Sequence, residues 1–266
     1  MDHDIPRLLA FADTLADAAR TAILSFFRAP HRVDNKSDDI FDPVTEADRA
    51  SEQRMRQLIE RGFPDHAIYG EEFGEKEGRS GYQWILDPID GTRAFVAGLQ
   101  TWGVLIGLYY EGAPLIGVMD QPYLDERYRG FTSKDSGGAE STIRGVTRIL
   151  RTRACAELKD ATLSTTDPTL FRGAESDAFE RVRKASKVVR YGFDCYAYCM
   201  LASGYMDCVI ESGLKPFDIA ALIPIVAGAG GGVCNWQGGD ASQGGQVLAY
   251  GDARVRDEAL ALIGAR

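Results

Sequence analysis

Five short stretches between residues 67 and 131 have the pattern of β-strands, and they constrain the fold more than any other feature of the sequence. Each is rich in β-branched, aromatic or aliphatic residues, and together they cover residues 67–69, 82–86, 102–110, 115–119 and 127–131. Turn-forming residues stand at Glu111-Gly112 and at Ser136-Gly137-Gly138. The pattern predicts consecutive antiparallel strands and a sheet-rich first half, over about residues 1–140.

The second half, about residues 141–266, alternates between predicted strands and helices. Strands are expected at residues 161–164, 188–191, 208–211, 233–236 and 247–250, and helices at residues 175–184, 196–202, 219–229 and 255–263. Two amphipathic helices, over residues 5–27 and from about 45 to 62–64, are expected before the first strand. Because no repeat or low-complexity linker interrupts the chain, we expect a single domain over residues 1–266, of mixed α+β and α/β class.

The composition is that of a globular protein, with 45% hydrophobic and 26% charged residues. A net charge of −9 argues against a nucleic-acid partner, which normally requires a basic face. No apolar run approaches the roughly 20 residues of a membrane span, and the first ten residues lack a basic region, so we expect no membrane partner and a cytoplasmic location. The five cysteines lack a C-x-x-C spacing and are expected to be reduced, buried thiols.

The second predicted strand ends in two carboxylates three residues apart. Asp87 and Asp90 flank a stiff proline and provide hard oxygen ligands of the kind that Mg²⁺ prefers. The carbonyl of Ile89 can point at the same ion, and Gly91 and Thr92 offer N–H groups and a hydroxyl where a phosphate can bind. The alternative is that both acids only cap turns and helix ends, as Asp-Pro and Asp-Gly pairs usually do.

Three further stretches place acidic residues at the ends of predicted elements. Glu71 and Glu72 follow the first predicted strand, where loops carry function on a rigid scaffold. Asp218 opens an apolar helix, and Thr45 and Asp48 open the second amphipathic helix. Each has a simpler explanation, which is solvation for the glutamates and helix N-capping for the other three.

These four stretches, in this order, resemble the motifs of the inositol monophosphatase superfamily. Its pattern comprises D-P-V-T-x-x-D, G-E-E, W-x-x-D-P-I-D-G-T and a later aspartate before a helix that runs into G-A-G-G, which correspond here to residues 42–48, 70–72, 84–92 and 218–231. The resemblance covers about residues 36–236. It implies a layered α/β/α/β/α sandwich of the inositol monophosphatase and fructose-1,6-bisphosphatase type, a metal-dependent phosphatase domain that acts on a small phosphate monoester, and a homodimer.

Three shorter features resemble the histidinol-phosphate phosphatase branch of the superfamily. They are Arg93 and Phe95 after the D-P-I-D-G-T motif, the C-Y-A-Y sequence that begins at Cys195, and residues 213–224 around Asp218. They imply hydrolysis of L-histidinol phosphate to L-histidinol and phosphate; an inositol-1-phosphatase or a broad-specificity sugar or nucleotide phosphatase is the alternative. Phe193 departs from the pattern, because a second glycine is expected there more often.

The resemblance also implies a ligand set for two or three Mg²⁺ ions, with Mn²⁺ as a substitute. Glu71, Asp87 and the Ile89 carbonyl would hold one ion, and Asp87, Asp90 and Asp218 would hold a second. Glu71 can also face a third ion. Carboxylates suit a hard ion such as Mg²⁺ better than histidine or cysteine would.

Other residues are implied to act on the attacking water. Asp48 and Thr92 would orient and deprotonate it, and Glu72 would accept hydrogen bonds from metal-bound waters. Lys36 could approach the metals or the phosphate when its loop closes; the alternative is a solvated lysine of the loop. Thr45 is expected either to support Asp48 or only to cap the helix.

The substrate contacts implied by the resemblance divide into two groups. Gly91 and Thr92 would bind the phosphate, whereas Asp194 and Glu211 occupy positions that contact the organic part of the substrate. Acids can pair with the amine and imidazole of histidinol phosphate, but they only accept hydrogen bonds from inositol. Arg93 is expected to bind phosphate or to order Asp194 or Glu211, unless it forms only a surface salt bridge.

The histidines, His3, His31 and His66, fall outside every motif. Neither a phosphohistidine nor a histidine-ligated zinc site is therefore expected, and all three side chains are predicted to be exposed to solvent.

Overall fold

The computed structural model describes residues 3–29, 33–35, 43–134 and 136–265. Lys36, and with it the predicted loop contact, lies outside these residues, as does His31. The helices are α1 Ile5–Ile23, α2 Glu46–Gly62, α3 Thr92–Val96, α4 Ala174–Ala185, α5 Cys195–Ala202, α6 Pro216–Ile219, α7 Leu222–Gly228 and α8 Ala253–Gly264, with short 3₁₀ turns at Leu158–Asp160 and Pro168–Leu170.

The strands form two large sheets and one small pair. They are β1 Val33–Asn35, β2 Pro43–Thr45, β3 Ala67–Gly70, β4 Gly74–Lys76, β5 Tyr82–Asp90, β6 Gly103–Tyr110, β7 Ala113–Gln121, β8 Glu126–Thr132, β9 Gly137–Ile143, β10 Val146–Ile149, β11 Thr162–Thr165, β12 Val188–Tyr191, β13 Cys208–Leu214, β14 Gly232–Asn235 and β15 Gly245–Tyr250. The first sheet has the order β10-β9-β8-β7-β6-β5-β3-β4, and the second has the order β12-β11-β13-β15-β14.

The two sheets differ in strand direction. The first is antiparallel apart from the parallel pair β3 and β5. In the second, β11 runs parallel to β12 and β13, whereas β15 is antiparallel to both of its neighbours. The antiparallel run from β5 to β8 confirms four of the five consecutive strands predicted for the first half of the sequence. The predicted direction of the first strand is wrong, because β3 runs parallel to β5.

Helices form three layers around the two sheets. α1 and α2 pack on one face of the first sheet, where Leu15 and Met55 share a hydrophobic core with Ile106. α5 and α7 lie between the sheets, in a second core that includes Cys199 and Leu222. α4 and α8 pack together on the outer face of the second sheet. This order of layers confirms the predicted α/β/α/β/α sandwich.

A row of glycines lets the central helices lie directly on the first sheet. Gly117 is the register partner of both Gly107 on β6 and Gly130 on β8. A Cβ atom at Gly117 would lie 1.9 Å from the carbonyl oxygen of Ala221, and one at Gly130 would lie 2.4 Å from the Cα of Ile225. Side chains cannot fit at such distances, so glycine at these positions sets the height of α7 above the sheet.

The predicted helix over residues 219–229 is confirmed over residues 222–228, as α7, but its start is wrong, because a turn at residues 220–221 separates α7 from α6. Pro224 has no N–H group to donate to the carbonyl of Ala220, so a continuous helix would leave that carbonyl without its partner. The first helix also ends earlier than predicted, at Ile23 instead of residue 27.

The predicted turn at Ser136-Gly137-Gly138 is also wrong, because both glycines belong to β9. β9 and β10, neither of which was predicted, extend the first sheet beyond β8. A Cβ atom at Gly228 of α7 would lie 2.3 Å from the carbonyl oxygen of Gly138. Glycine at these positions thus allows a helix to approach a strand closely.

His66 is buried, so the prediction that it is exposed is wrong. Its ring stacks between Phe63 and Tyr82, with ring centroids 4.4 and 4.7 Å away. Its Nδ1 atom accepts a hydrogen bond from Nε1 of Trp84 at 3.1 Å. His3 is half-buried, and its Nδ1 atom lies 2.7 Å from the hydroxyl of Tyr82. Aromatic packing is therefore the role that the structure gives to both rings.

The cysteine prediction is confirmed, since all five thiols are buried and none forms a disulfide. Within the described parts of the chain, no helix has the length and apolar character needed to cross a bilayer.

We predict that His66 makes the fold sensitive to acid. Burial lowers the pKa of His66 to about 4 from its usual 6.5, so the folded state disfavours protonation of the ring. The contribution of neutral His66 to the stability of the fold is therefore complete only above pH 6.5. As the pH falls toward 4, this residue alone should cost the fold up to about 3 kcal/mol. His66→Gln retains an acceptor for Trp84 but does not titrate. Urea unfolding at pH 7 and pH 4.5 should show that the free energy of unfolding falls less between these pH values for the variant than for the native chain. Equal decreases in the two proteins would contradict the prediction.

Candidate metal and phosphate site

The end of β5 is shaped by a bulge that lies between two carboxylates. Asp87 pairs with Leu105 and Asp90 pairs with Gly103, with a shift of register between them. The Ile89 N–H donates to Oδ1 of Asp87 at 3.0 Å, and its carbonyl accepts from the hydroxyl of Thr92 at 3.0 Å. The bulge thus turns both carboxylates toward one place and fixes the loop after the strand.

Asp218 brings a third carboxylate to this place from the first turn of α6. Its Oδ2 atom accepts a hydrogen bond from the Lys215 N–H at 2.6 Å. Asp218 therefore has the predicted capping role, but this role does not exclude a second role for its carboxylate. Carboxylate oxygens of Asp87, Asp90 and Asp218 lie within 4.8 Å of one another, in an arrangement that could hold a metal ion.

Burial and mutual repulsion disfavour negative charge in this cluster. Burial raises the pKa of Asp87 well above its usual range, and the negative charges of Glu71, Asp90 and Asp218 add to this shift. Burial, together with Asp194 and Asp218, does the same for the pKa of Asp90, although an N–H donated by Cys195 at 2.7 Å opposes this effect. Convergent, desolvated carboxylates are a ligand set suited to a hard divalent cation, whose charge removes their repulsion.

Glu71 and Glu72 lie in the turn between β3 and β4. The N–H of Glu71 donates to the carbonyl of Leu86 at 3.1 Å, and the carboxyl group of Glu71 is in hydrogen-bond contact with that of Asp87. The N–H groups of Glu72 and Phe73 donate to the buried carboxylate of Glu52. The turn is therefore fixed both to β5 and to helix α2.

Asp48 is buried at the start of α2. Its Oδ2 atom accepts hydrogen bonds from the N–H and hydroxyl of Thr45, at 2.8 and 2.6 Å. The hydroxyl of Thr45 also accepts from the N–H of Ala47, so Thr45 caps the helix and supports Asp48. Burial, and then the charges of Glu72 and Glu71, raise the pKa of Asp48 to about 7.

A cavity of about 200 Å³ opens onto the cluster. Its lining comprises Glu71, Asp87, Ile89, Asp90, Gly91, Thr92, Arg93, Thr166, Leu170, Asp194 and Asp218. The structure thus brings together all of the predicted metal ligands and most of the predicted substrate contacts. Asp48, Glu72 and Glu211 are not part of this lining. A larger cavity of about 540 Å³ lies beside Tyr110 and Lys134, and the described residues that line it include no carboxylate.

Asp194 lines this cavity and reaches it through unusual backbone geometry. Its φ is 46°, and it directly precedes α5. Burial raises its pKa to about 6, and the charge of Arg93 opposes this shift. Gly91 has a φ of 84°, and a Cβ atom there would lie 3.1 Å from the Cγ of Asp194. Only glycine at position 91 therefore allows Asp194 to approach.

Glu211 lies behind the cavity wall. Its carboxylate accepts hydrogen bonds from the N–H and hydroxyl of Thr166, at 2.8 and 3.0 Å, and from the hydroxyl of Thr165 at 3.2 Å. Burial raises its pKa to about 8, and these hydrogen bonds oppose that shift. Thr166, which the sequence analysis did not select, lies between Glu211 and the cavity.

Two signals in the sequence could have revealed the residues that were missed. Glu52 stands four residues after Asp48 on the same helix, so both belong to one face. Thr166 follows the predicted strand over residues 161–164, and the ends of neighbouring parallel strands are a usual place for ligand-binding residues. Leu170 carries no such signal.

Comparison with known proteins decides the family. A protein-family sequence model described as "Inositol monophosphatase family" matches residues 4–262 of the chain. The chain belongs to the inositol monophosphatase family. Members of this family are metal-dependent phosphatases that act on small phosphate monoesters, and the acidic cluster described above is consistent with that chemistry.

Individual relatives have several named activities. The chain is 42% identical to the chloroplastic bifunctional phosphatase IMPL2 of Arabidopsis thaliana, over 97% of this chain and 75% of that protein. It is 35% identical to the histidinol-phosphatase of Chlorobaculum parvum, over 96% of each. An inositol monophosphatase structure from Zymomonas mobilis has a TM-score of 0.86 at 38% identity, covering 99% of this chain and 100% of that chain.

We predict that the acidic cluster opposes folding stability in the absence of metal. Asp87→Asn removes an ionisable group whose charged form is disfavoured by burial, but it retains an acceptor for the N–H of Ile89, so with a chelator at pH 8 the variant should be about 1–3 kcal/mol more stable than the native chain. Added Mg²⁺ should raise the melting temperature of the native chain and have little effect on that of the variant. Scanning calorimetry measures both changes. Asp257→Asn, at an exposed position on α8, is the matched control; the prediction fails if it behaves like Asp87→Asn.

Proposed function

We propose that this chain is a Mg²⁺-dependent phosphomonoesterase that hydrolyses L-histidinol phosphate to L-histidinol and phosphate, a step of histidine biosynthesis. The observation that carries the proposal is the acidic wall of the cavity, where Asp194 lines the same cavity as the carboxylate cluster, beside Asp90 and Gly91, and Glu211 accepts a hydrogen bond from Thr166. Carboxylates can pair with the amine and imidazole of histidinol. The histidinol-phosphatase that is 35% identical over nearly its whole length supports the same substrate.

The proposed metal ligands are Glu71, Asp87, the Ile89 carbonyl, Asp90 and Asp218. Mg²⁺ bound there, or Mn²⁺ in its place, would supply charge to neutralise the phosphate oxygens and to acidify the attacking water. The backbone of Gly91 and Thr92 would bind the phosphate, and Glu72 would orient water at the edge of the cluster.

Asp48 is proposed to accept the proton of the attacking water. Its Oδ2 atom already accepts two hydrogen bonds from Thr45, so its other oxygen is the one that can take a proton. A pKa of about 7 suits a general base that works near neutral pH. The hydroxyl of Thr92 donates to the carbonyl of Ile89, so it presents a lone pair to the water and can align it.

Arg93 and Asp194 are proposed to select the organic part of the substrate. Arg93 lines the cavity, and its charge acts on the carboxyl group of Asp194, which favours an ordering role over a simple surface salt bridge. Glu211 is proposed to act on the substrate together with Thr166. Lys36, outside the described residues, remains the proposed loop contact.

An inositol-1-phosphatase activity, or a broad specificity for sugar and nucleotide phosphates, is the second candidate. The inositol monophosphatase from Zymomonas mobilis, 38% identical over the whole chain, favours it. We also propose a single cytoplasmic phosphatase domain over residues 1–266 that forms a homodimer; light scattering after size exclusion would test the oligomeric state.

The substrate proposal predicts a preference in kcat/KM for histidinol phosphate. The purified protein should be assayed with Mg²⁺ against histidinol phosphate, inositol 1-phosphate, fructose 1,6-bisphosphate and adenosine 3′,5′-bisphosphate. A higher kcat/KM for any of the last three would reject the assignment. Asp90→Asn should abolish turnover of all four, because it removes a ligand of the metal cluster.

Asp194→Asn provides a sharper test of specificity. Asparagine tolerates the left-handed backbone at this position but cannot pair with a cation, so kcat/KM for histidinol phosphate should fall by about 10- to 100-fold. The value for inositol 1-phosphate should change less. Asp167→Asn is the matched control, because Asp167 is also close to Arg93 but does not line the cavity. Equal losses for the two substrates would show that Asp194 does not recognise the cationic group.

A further inference from the structure

Glu52 is a buried carboxylate that holds the turn carrying Glu71 and Glu72. Its Oε2 atom accepts a hydrogen bond from the N–H of Glu72 at 2.7 Å. Its Oε1 atom accepts from the N–H of Phe73 at 3.2 Å and from Nε of Arg56 at 2.7 Å. Three donors thus converge on a single side chain of α2, and all of them require an acceptor.

Arg56 extends this attachment to the end of the turn. Its Nη2 atom donates to the carbonyl of Gly74, while its Nε atom is paired with Glu52. The pair therefore contacts the turn at residues 72, 73 and 74. Because Glu52 is completely buried and ion-paired, its position is fixed more strictly than that of an exposed side chain.

The sequence of the turn is adapted to Glu52. A Cβ atom at Gly70 would lie 2.0 Å from Oε1 of Glu52, a distance that no side chain can occupy. Gly70 has no unusual φ, so its backbone geometry does not require glycine. The close approach of the carboxylate explains why glycine precedes the two glutamates.

The same face of α2 carries the proposed base. Asp48, Glu52 and Arg56 are spaced four residues apart, which places them in a row along one side of the helix. The charges of Glu71 and Glu72 act on Asp48, so the turn and the base are close. One rigid helix thus sets the position of the base and of the turn that carries a proposed metal ligand.

We propose that Glu52 is a positioning residue, which fixes the Glu71-Glu72 turn relative to Asp48 and Asp87 and thereby sets the metal affinity of the site. This inference rests on the proposed metal site, but not on the identity of the substrate. The role requires a carboxylate, since an amide in the same place would turn its NH₂ group toward at least one of the three donors.

The test is Glu52→Gln, compared with Glu60→Gln, which makes the same substitution at an exposed position of the same helix. Mg²⁺ binding is measured by isothermal titration calorimetry without substrate, at a temperature well below the melting point of each protein. We expect the affinity of Glu52→Gln to fall by about 10- to 100-fold, as is typical when a residue that orients a metal ligand is changed, and that of Glu60→Gln to be unchanged. An unchanged affinity for Glu52→Gln, with or without a lower melting temperature, would overturn the proposal.

Gly70→Ala keeps the inference testable if Glu52→Gln does not fold. Alanine is compatible with the strand, but its Cβ would displace the carboxylate of Glu52, so Mg²⁺ affinity should again fall by at least about tenfold. Gly264→Ala, at the end of α8 with open space around the Cα and, as at Gly70, no unusual φ, reports the cost of a glycine substitution elsewhere. Equal Mg²⁺ affinities in Gly70→Ala and the native chain would reject the role of Glu52.

Failure of the proposed substrate can be distinguished from failure of this inference. If the native chain binds Mg²⁺ but hydrolyses none of the four monoesters, the proposed substrate fails, and the measured Mg²⁺ affinities still decide the role of Glu52.

Discussion

Three carboxylates of like charge meet at the end of β5, where Asp87 is buried and Asp90 and Asp218 are half-buried. Asp87, Asp90 and Asp218 converge within 4.8 Å, in surroundings that raise the pKa values of Asp87 and Asp90. A fold selected only for stability would place such groups in solvent or protonate them. This chain instead gives each carboxylate a backbone donor, from Ile89, Cys195 and Lys215, which holds its orientation without neutralising its charge.

These three donors belong to different parts of the fold, so the cluster also joins its layers. One lies in the bulge of β5, one at the start of α5 and one directly before α6. The height of the central helices over the first sheet is set by glycine, because a side chain at Gly117 or Gly130 would collide with the helical backbone. Close packing far from the cavity therefore determines how near Asp218 comes to the end of β5.

The sequence predicted most helices and strands from local signals, whereas the order of the layers and the set of carboxylates that meet were implied by the resemblance to the inositol monophosphatase superfamily. Strand and helix periods are visible in short windows, and the motif around Asp87 and Asp90 has little freedom in where its carboxylates can point. What escaped prediction depends on distant contacts. The burial of His66 requires Phe63, Tyr82 and Trp84 to meet, and β9 is recognisable only once a helix is known to lie on its glycines. The sequence places Glu52 on the same face of α2 as Asp48 and Arg56, but it does not show the turn that Glu52 holds, because the N–H groups of that turn are 20 and 21 residues away.

The proposed contact with the organic part of the substrate and the carboxylate cluster share one stretch of backbone. The carboxyl group of Asp194 lines the cavity, and the next N–H in the chain, that of Cys195, holds Asp90. A displacement of the backbone at Asp194 would therefore also displace the N–H group that holds Asp90. Phe193 is accommodated in this segment because its ring packs against the core between the sheets. If Asp194 has the proposed role, a change of its side chain would alter specificity alone, whereas a change in the path of this backbone would also displace the N–H group that holds Asp90, a proposed metal ligand.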